Sequence, residues 1–388
     1  MTTLDSLVVK VAAPCNLACT YCYEYQAGDL SWQKKPKSMG MDTIERLGFR
    51  IREFESQTGC ERLRIVAHGG EPLLLGAKGL NSFFACLSAA ASPVQLQFSL
   101  QTNATLISPE ICEVFRRHRV LVGVSLDGGE AHNSRRVDHQ GRPSWDRVVS
   151  GIAHLKKYAP ECFGGLLCVI ELAHSPEQVI DALCAFNPPQ IDLLQPFTTH
   201  DVLGEHRAET ARVFGDWMTR AMRHWLQHPE FSSTKVRVFE DALAAVVTGK
   251  AATDWFGPRR AGYLIVETDG AFDLLDSLKV IGSASSAFRQ TGRSVENCSL
   301  ADAVLAAQSV LRHGSGDRLP VGCSNCRWSA VCAGGYLPGR YSAASGFNNP
   351  SVYCEGIKEL LDESLSIMSA HIARRERALG SPTGAANP

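Results

Sequence analysis

Six short β-rich runs alternate with amphipathic helical stretches through the first half of this 388-residue chain. The candidate strands are Leu7–Val11, Leu63–Ala67, Leu96–Leu100, Val120–Ser125, Gly165–Ile170 and Ile191–Leu194, separated by helical patterns such as Thr43–Glu55, Leu80–Ala91 and Pro109–His118. A helix between two strands returns the chain parallel to itself, so the repetition dictates a parallel sheet with right-handed crossovers. Six units fall short of a closed eight-fold barrel and predict an α/β fold built on a partial (βα)6 TIM-like barrel. A long helix is expected over Ala208–Gln227, where Ala211, Phe214, Trp217, Met218, Met222 and Trp225 share one face and read as core.

After His228–Pro229 the alternation stops and the sequence becomes richer in Gly and Cys. Residues 1–229 are therefore assigned to the barrel, 230–377 to a second domain and 378–388 to a disordered tail. The net charge of −1 gives no electrostatic case for nucleic acid or an anionic membrane. No apolar run reaches the ~18–20 residues that span a bilayer, and the start, Met-Thr-Thr-Leu-Asp, lacks the segments of a secretory signal. A cytoplasmic protein without nucleic-acid or membrane partners is the expectation.

Fourteen cysteines in a reducing compartment are not a disulfide framework; they bind metal or do chemistry. Cys60, Cys86, Cys112, Cys162, Cys168, Cys184 and Cys298 are scattered and read as small buried hydrophobes. The rest form two groups. Cys15-x3-Cys19-x2-Cys22 directly follows the first strand, on the face where the loops of parallel barrels build active sites. Three thiolates on one loop can hold three corners of a 4Fe–4S cubane and leave one iron open to a small molecule. A zinc knot would want a fourth Cys or His. The second group, Cys323-x2-Cys326-x5-Cys332 with Cys354 further on, has four thiolates, enough to close a cluster completely or to hold zinc.

The first spacing, with Tyr21 before its last cysteine, resembles the signature of the radical S-adenosylmethionine (SAM) superfamily. There SAM chelates the open iron and is cleaved to a 5′-deoxyadenosyl radical. Gly69-Gly70-Glu71-Pro72, after the second strand, resembles the element that receives the SAM amino group, with glycines letting backbone approach the ligand. Gln101-Thr102-Asn103 and Ser125-Leu126-Asp127-Gly128 follow the third and fourth strands, and the resemblance puts Asn103 and Ser125 near SAM. Within His132–Arg136 the matching arginine is Arg136, with Arg135 its neighbour, since a guanidinium binds a carboxylate bidentately. Asp127 reads equally as a turn or helix cap.

Cys323–Cys354 resembles the C-terminal SPASM region of peptide-modifying radical SAM enzymes, which implies that Cys323, Cys326, Cys332 and Cys354 hold an outer auxiliary 4Fe–4S cluster. The inner auxiliary cluster of a full SPASM domain lacks ligands here. Leu275 and Tyr336 stand at two of its positions, and residues 254–261 contain no cysteine. Two 4Fe–4S clusters are expected, not three. Asp276 falls where related sulfatase-maturing enzymes carry a proton-accepting carboxylate; near an inner wall its pKa would rise, while the competing reading is a strand terminator.

Among SPASM enzymes the chain most resembles the cyclophane-forming maturases of ribosomal peptides, through Ser31-Trp32, Glu267–Gly270, Asp276–Lys279, Arg340–Ser342 and Gly346–Cys354. That resemblance implies a precursor-peptide substrate, abstraction of a side-chain β-hydrogen, and attack of the carbon radical on an aromatic ring. It also implies a flavodoxin- or ferredoxin-like electron donor. Formylglycine formation, thioether formation and epimerisation are the alternatives. From a different class comes a non-catalytic iron–sulfur or zinc module that binds peptides.

Overall fold

The computed structural model describes residues 4–27, 29–256, 262–315 and 319–380. All six expected strands are present: β1 (Ser6–Ala12), β2 (Arg62–Gly69), β3 (Gln95–Thr102), β4 (Leu121–Ser125), β5 (Phe163–Val169) and β6 (Gln190–Leu194). They lie in chain order and pair in parallel, which is the partial barrel. Helices Met41–Thr58, Gly76–Ala91, Pro109–His118, Trp145–Tyr158 and Pro176–Cys184 fall between successive strands. Local sequence starts some of them: Ser108 and Ser175 cap the helices that open on Pro109 and Pro176, accepting from Ile111 N and Gln178 N.

The two-residue period of the strands decides what faces the interior. In β1 and β2, Leu7, Val9, Val11, Leu63, Ile65 and Ala67 join the hydrophobic core, while Ser6, Val8, Arg64 and His68 line interior cavities. The scattered Cys112, Cys162, Cys168 and Cys184 are buried in the core, as small hydrophobes would be.

Beyond residue 230 the same sheet continues. Strand β7 (Lys235–Val236) extends the β6 edge, and β8 (Tyr263–Val266) pairs in parallel with β1 at the opposite edge. A turn with Gly270 at φ 80 then returns β9 (Phe272–Asp273) antiparallel to β8. The boundary expected at 230 is therefore no break in the sheet. The expected helix spans Arg207–Gln227, with Phe214, Trp217 and Met218 fully packed and Trp225 half-buried. Against it lies a 27-residue helix, Cys354–Gly380, that the irregular reading of the second half did not anticipate. The two helices cross at glycines: a Cβ on Gly356 would sit 2.5 Å from Ala211 O, and one on Gly215 would sit 2.7 Å from Gly356 Cα. The first residues of the expected tail, 378–380, end this helix, and 381–388 lie outside the described residues.

One expectation about apolar runs is corrected. Pro72–Ala91 is long and apolar enough to cross a membrane by length and composition. Its Leu80, Phe83, Phe84, Leu87 and Ala91 are buried in the core, which accounts for that apolarity.

Candidate active site

The loop after β1 carries Cys15, Cys19 and Cys22 to the mouth of a 530 Å³ cavity, which all three line together with Gly69, Gly70, Glu71, Asn103, Ser125 and Arg136. That volume lies in the range of small-molecule sites. Backbone N–H groups of Ala18 and Thr20 donate to Val137 O (2.7 Å) and Arg135 O (3.1 Å), fastening the loop across the barrel mouth. Leu17 N donates to Cys15 Sγ at 3.4 Å and Asn103 Nδ2 approaches it at 3.7 Å, contacts that favour a thiolate. Burial pushes the Cys15 thiol up to about 12 and the Cys22 thiol to about 11, so cluster assembly would have to displace their protons.

The Gly-Gly-Glu-Pro segment serves the protein's own packing. Gly70 N donates to Ala12 O (2.8 Å) and Glu71 N to Pro14 O (3.0 Å). A Cβ on Gly69 would fall 2.0 Å from Ala12 O, and one on Gly70 would fall 2.2 Å from Pro14 O. The glycines thus admit the crossing chain at Ala12 and Pro14, and both also line the cavity. Pro72 opens the short turn Pro72–Leu75. Glu71 is fully buried and accepts from Leu73 N (2.9 Å), Thr102 Oγ1 (2.7 Å) and Asn103 N (2.8 Å). Burial raises its pKa against these donors. With three of about four lone-pair sites occupied, it braces β2 to β3 and keeps one acceptor position.

Asn103 is held from both ends, by Asn16 Oδ1 (2.9 Å) and by Thr105 Oγ1 (2.7 Å). Ser125 Oγ accepts from Gln101 Nε2 at 2.8 Å. Arg136 is buried and donates through Nη1 to Tyr21 OH at 2.8 Å, while its Nε has no hydrogen-bond partner among the described residues. Burial disfavours the guanidinium charge, but Tyr21 and Asp127 outweigh it and raise the pKa. Asp127 accepts from Tyr21 OH and from Val169 N (3.0 Å), so it ties β4 to β5 and caps no helix. Arg135 is half-exposed and pairs with Glu171.

A second cavity, of 500 Å³, lies deeper in the barrel and shares Tyr23, His68, Leu167, Leu194 and Phe197 with the first. Leu275, Asp276, Ser277, Tyr263 and Tyr336 line it. Tyr336 OH lies 2.6 Å from Ser277 Oγ, and the rings of Tyr23, Phe197 and Tyr336 follow one another at 5.2 and 5.7 Å.

Asp276 differs from expectation. Its Oδ1 lies 2.8 Å from Lys10 Nζ and 3.2 Å from Lys279 Nζ. Burial pushes its pKa up, but the two ammonium groups more than reverse this and hold the carboxyl well below its usual range. The expected rise is overturned. The same lysines grip Glu24, at 2.8 Å from Lys10 and 2.7 Å from Lys279, and lie 3.6 Å from Glu267. This buried network ties the helix after Cys22 to the C-terminal half. A charge in an apolar run betrays no partner, so Lys10 escaped the sequence reading; Glu24 and His68 escaped it too.

Cys323, Cys326, Cys332 and Cys354 come together where the chain turns sharply through Ala333, Gly334 and Gly335, at φ 44, 94 and 79. Burial pushes Cys332 up to about 12 and Cys354 to about 11, and the neighbouring cysteines add to both shifts. Among the described residues no three His, Cys, Asp or Glu converge tightly enough for a single metal ion. Arg340 is fully buried beside them, donating to Phe347 O (2.8 Å) and Asn349 O (3.2 Å) and countering the charge of Cys323 and Cys332. Cys298 interacts instead with Ser299 O.

Residues 9–183 match the Radical SAM superfamily. The serine-type anaerobic sulfatase-maturating enzyme of Klebsiella aerogenes is 30% identical over 344 residues, 87% of this chain and 80% of that protein. The chain belongs to the radical SAM/SPASM-type maturase family. The cysteine-type anaerobic sulfatase-maturating enzyme of Clostridium novyi (strain NT) is 24% identical over 382 residues, covering 94% of this chain and 96% of that one. In fold, this radical SAM protein resembles native anSMEcpe with bound AdoMet, at a TM-score of 0.78 and 19% identity over 95% of this chain and 99% of that one. It also resembles Streptococcus suis SuiB bound to precursor peptide SuiA, at 0.61 and 14% over 92% and 76%.

Proposed function

We propose that this radical SAM maturase forms a carbon–carbon crosslink between a side-chain β-carbon and an aromatic ring of a ribosomally made precursor peptide. The observation that carries the reading is the pair of adjoining cavities. A crosslinking enzyme must hold two side chains at once, and the SAM-side cavity shares Tyr23, His68, Leu167, Leu194 and Phe197 with a second one whose wall also includes Tyr263 and Tyr336. Edge-to-face contacts with such rings suit an aromatic guest. Leu275 and Tyr336 line that chamber where inner-cluster cysteines would be expected, so two 4Fe–4S clusters fit the residues and a third does not.

Cys15, Cys19 and Cys22 would hold the SAM-binding cluster, which supplies, with SAM, a 5′-deoxyadenosyl radical that takes a hydrogen atom. In this assignment Arg136 offers its unpartnered Nε to the SAM carboxylate, and Tyr21 and Asp127 keep that guanidinium in place. Glu71 offers its remaining acceptor position to the SAM amino group. Asn103 and Ser125 lie on the same wall and bound the ligand. The lining of the SAM-side cavity is mostly apolar, which would limit water around a carbon radical. Cys323, Cys326, Cys332 and Cys354 would hold the auxiliary cluster that accepts an electron, with Arg340 favouring the added negative charge. A flavodoxin- or ferredoxin-like donor would supply electrons for SAM cleavage.

Formylglycine formation is the second reading, favoured by the sulfatase-maturating relatives. Both reactions on a serine- or aromatic-containing peptide remove two hydrogens, so mass alone does not separate them. Anaerobically reconstituted enzyme with SAM, reductant and candidate peptides is expected to yield a product two hydrogens lighter that resists hydrazone formation and shows a linked pair by fragmentation. A product that forms a hydrazone would replace crosslinking by aldehyde formation.

A further inference from the structure

Removing two hydrogens through a carbon radical releases one hydrogen atom, one proton and one electron, so a group near the chambers must take the proton. Asp276 is poorly suited, since Lys10 and Lys279 share its Oδ1. His68 is placed differently. It is the inward-facing residue of β2 immediately before Gly69-Gly70, and it lines both cavities. Its side chain is half-buried in the wall they share, with Nδ1 shielded. Burial lowers the pKa of the ring and Lys10 reinforces this, while Asp276, Glu24 and a hydrogen bond with the Gly69 backbone oppose it. The charged groups facing it from β1, from the helix Tyr23–Gln26 and from the segment after β9 are thus Lys10, Glu24 and Asp276. A neutral imidazole in the wall shared by the two cavities has the chemistry of a general base.

We infer that His68 is the proton-accepting catalytic residue, receiving on its imidazole the proton that leaves the substrate after hydrogen-atom abstraction. This rests on the proposed reading of the function only in requiring that a proton and an electron leave in turn. For a crosslink, the β-carbon gives its hydrogen atom to the 5′-deoxyadenosyl radical and bonds to a ring carbon. The C–H bond at that ring carbon then breaks, its proton passing to His68 and its electron to the oxidised auxiliary cluster. In formylglycine formation the proton would come from the substrate O–H or S–H instead. His68 returns its proton to solvent, and an external one-electron acceptor reoxidises the cluster.

The test compares reconstituted wild-type enzyme with His68→Gln and His68→Ala on a converted peptide deuterated at the reacting β-carbon. Equilibrium binding of SAM and peptide is measured on the same preparations. Both variants are expected to bind both ligands and to pass deuterium into 5′-deoxyadenosine, while product falls by about 10²-fold. The peptide recovered from them should carry solvent hydrogen at the labelled carbon, the mark of a radical formed but not carried forward. Wild-type product formation by His68→Gln would overturn the assignment. So would loss of deuterium transfer in parallel with product, which would make His68 a shaping residue. The same phenotype in Asp276→Asn but not in His68→Gln would move the role to Asp276. Wild-type conversion tests the proposed function, whereas the ratio of variant to wild type tests His68.

Discussion

The two cysteine groups use the same side chain in opposite settings. Cys15, Cys19 and Cys22 sit on a loop fastened across a barrel mouth, facing a cavity with a buried, unpartnered guanidinium nitrogen on its wall. Cys323, Cys326, Cys332 and Cys354 are gathered by a tight turn of left-handed residues, with the wholly buried Arg340 beside them and its guanidinium engaged by nearby carbonyls. In the proposed assignment, three ligands facing a cavity would leave an iron open to a small molecule, while four would complete a cluster that stores charge. The cavity beside the first group distinguishes them as much as the sulfur count does.

The largest effect that could break this contrast comes from the first group. Cys15→Ala is expected to abolish SAM cleavage and remove about four irons per chain, leaving the second cluster in place; iron analysis with a 5′-deoxyadenosine assay checks it. Retained cleavage would erase the distinction. Cys354→Ala should instead remove product while SAM cleavage persists, because it touches only the electron-accepting side. Chromatography of 5′-deoxyadenosine beside mass spectrometry of the peptide would reveal the split.

A third substitution bears on how the two regions are joined. Lys10→Met leaves Glu24, Glu267 and Asp276 with Lys279 as the remaining buried counter-charge, apart from the Lys35–Glu267 contact. Stripping one partner from such a buried network costs about 3–5 kcal/mol, readable by denaturant unfolding. A loss below 1 kcal/mol would mean that the seam is held by packing alone. The smallest expected change is for Arg136→Met, which removes a charged hydrogen bond worth about 1.5–3 kcal/mol. Affinity for SAM should weaken by about 10–100-fold, measured by equilibrium dialysis, with iron content unchanged.

How much of this was legible beforehand depends on the range of the interaction. Strands β1 to β6 follow from local alternation, and the cysteine groups from spacing, because each signal lies within a few residues. The packing of Gly69 and Gly70 was not legible because Ala12 and Pro14, whose carbonyls they admit, are distant in sequence. The direction of the Asp276 shift was misread for the same reason: Lys10 arrives from β1, far along the chain. The helix Cys354–Gly380 was missed because its partner lies far off in sequence: Gly356 crosses Gly215, and Glu363 pairs with Arg223.

The sheet topology also sets a clock for biosynthesis. Strand β1 pairs with β2 early, but its other edge waits for β8. With ribosomes adding about 5–20 residues per second, the first strand emerges with one flank bare and keeps it so for roughly ten seconds to a minute. During that interval an apolar strand edge is open to any other nascent chain. Shortening the chain near residue 230 would make the interval permanent, so a barrel-only fragment should aggregate where the full chain does not.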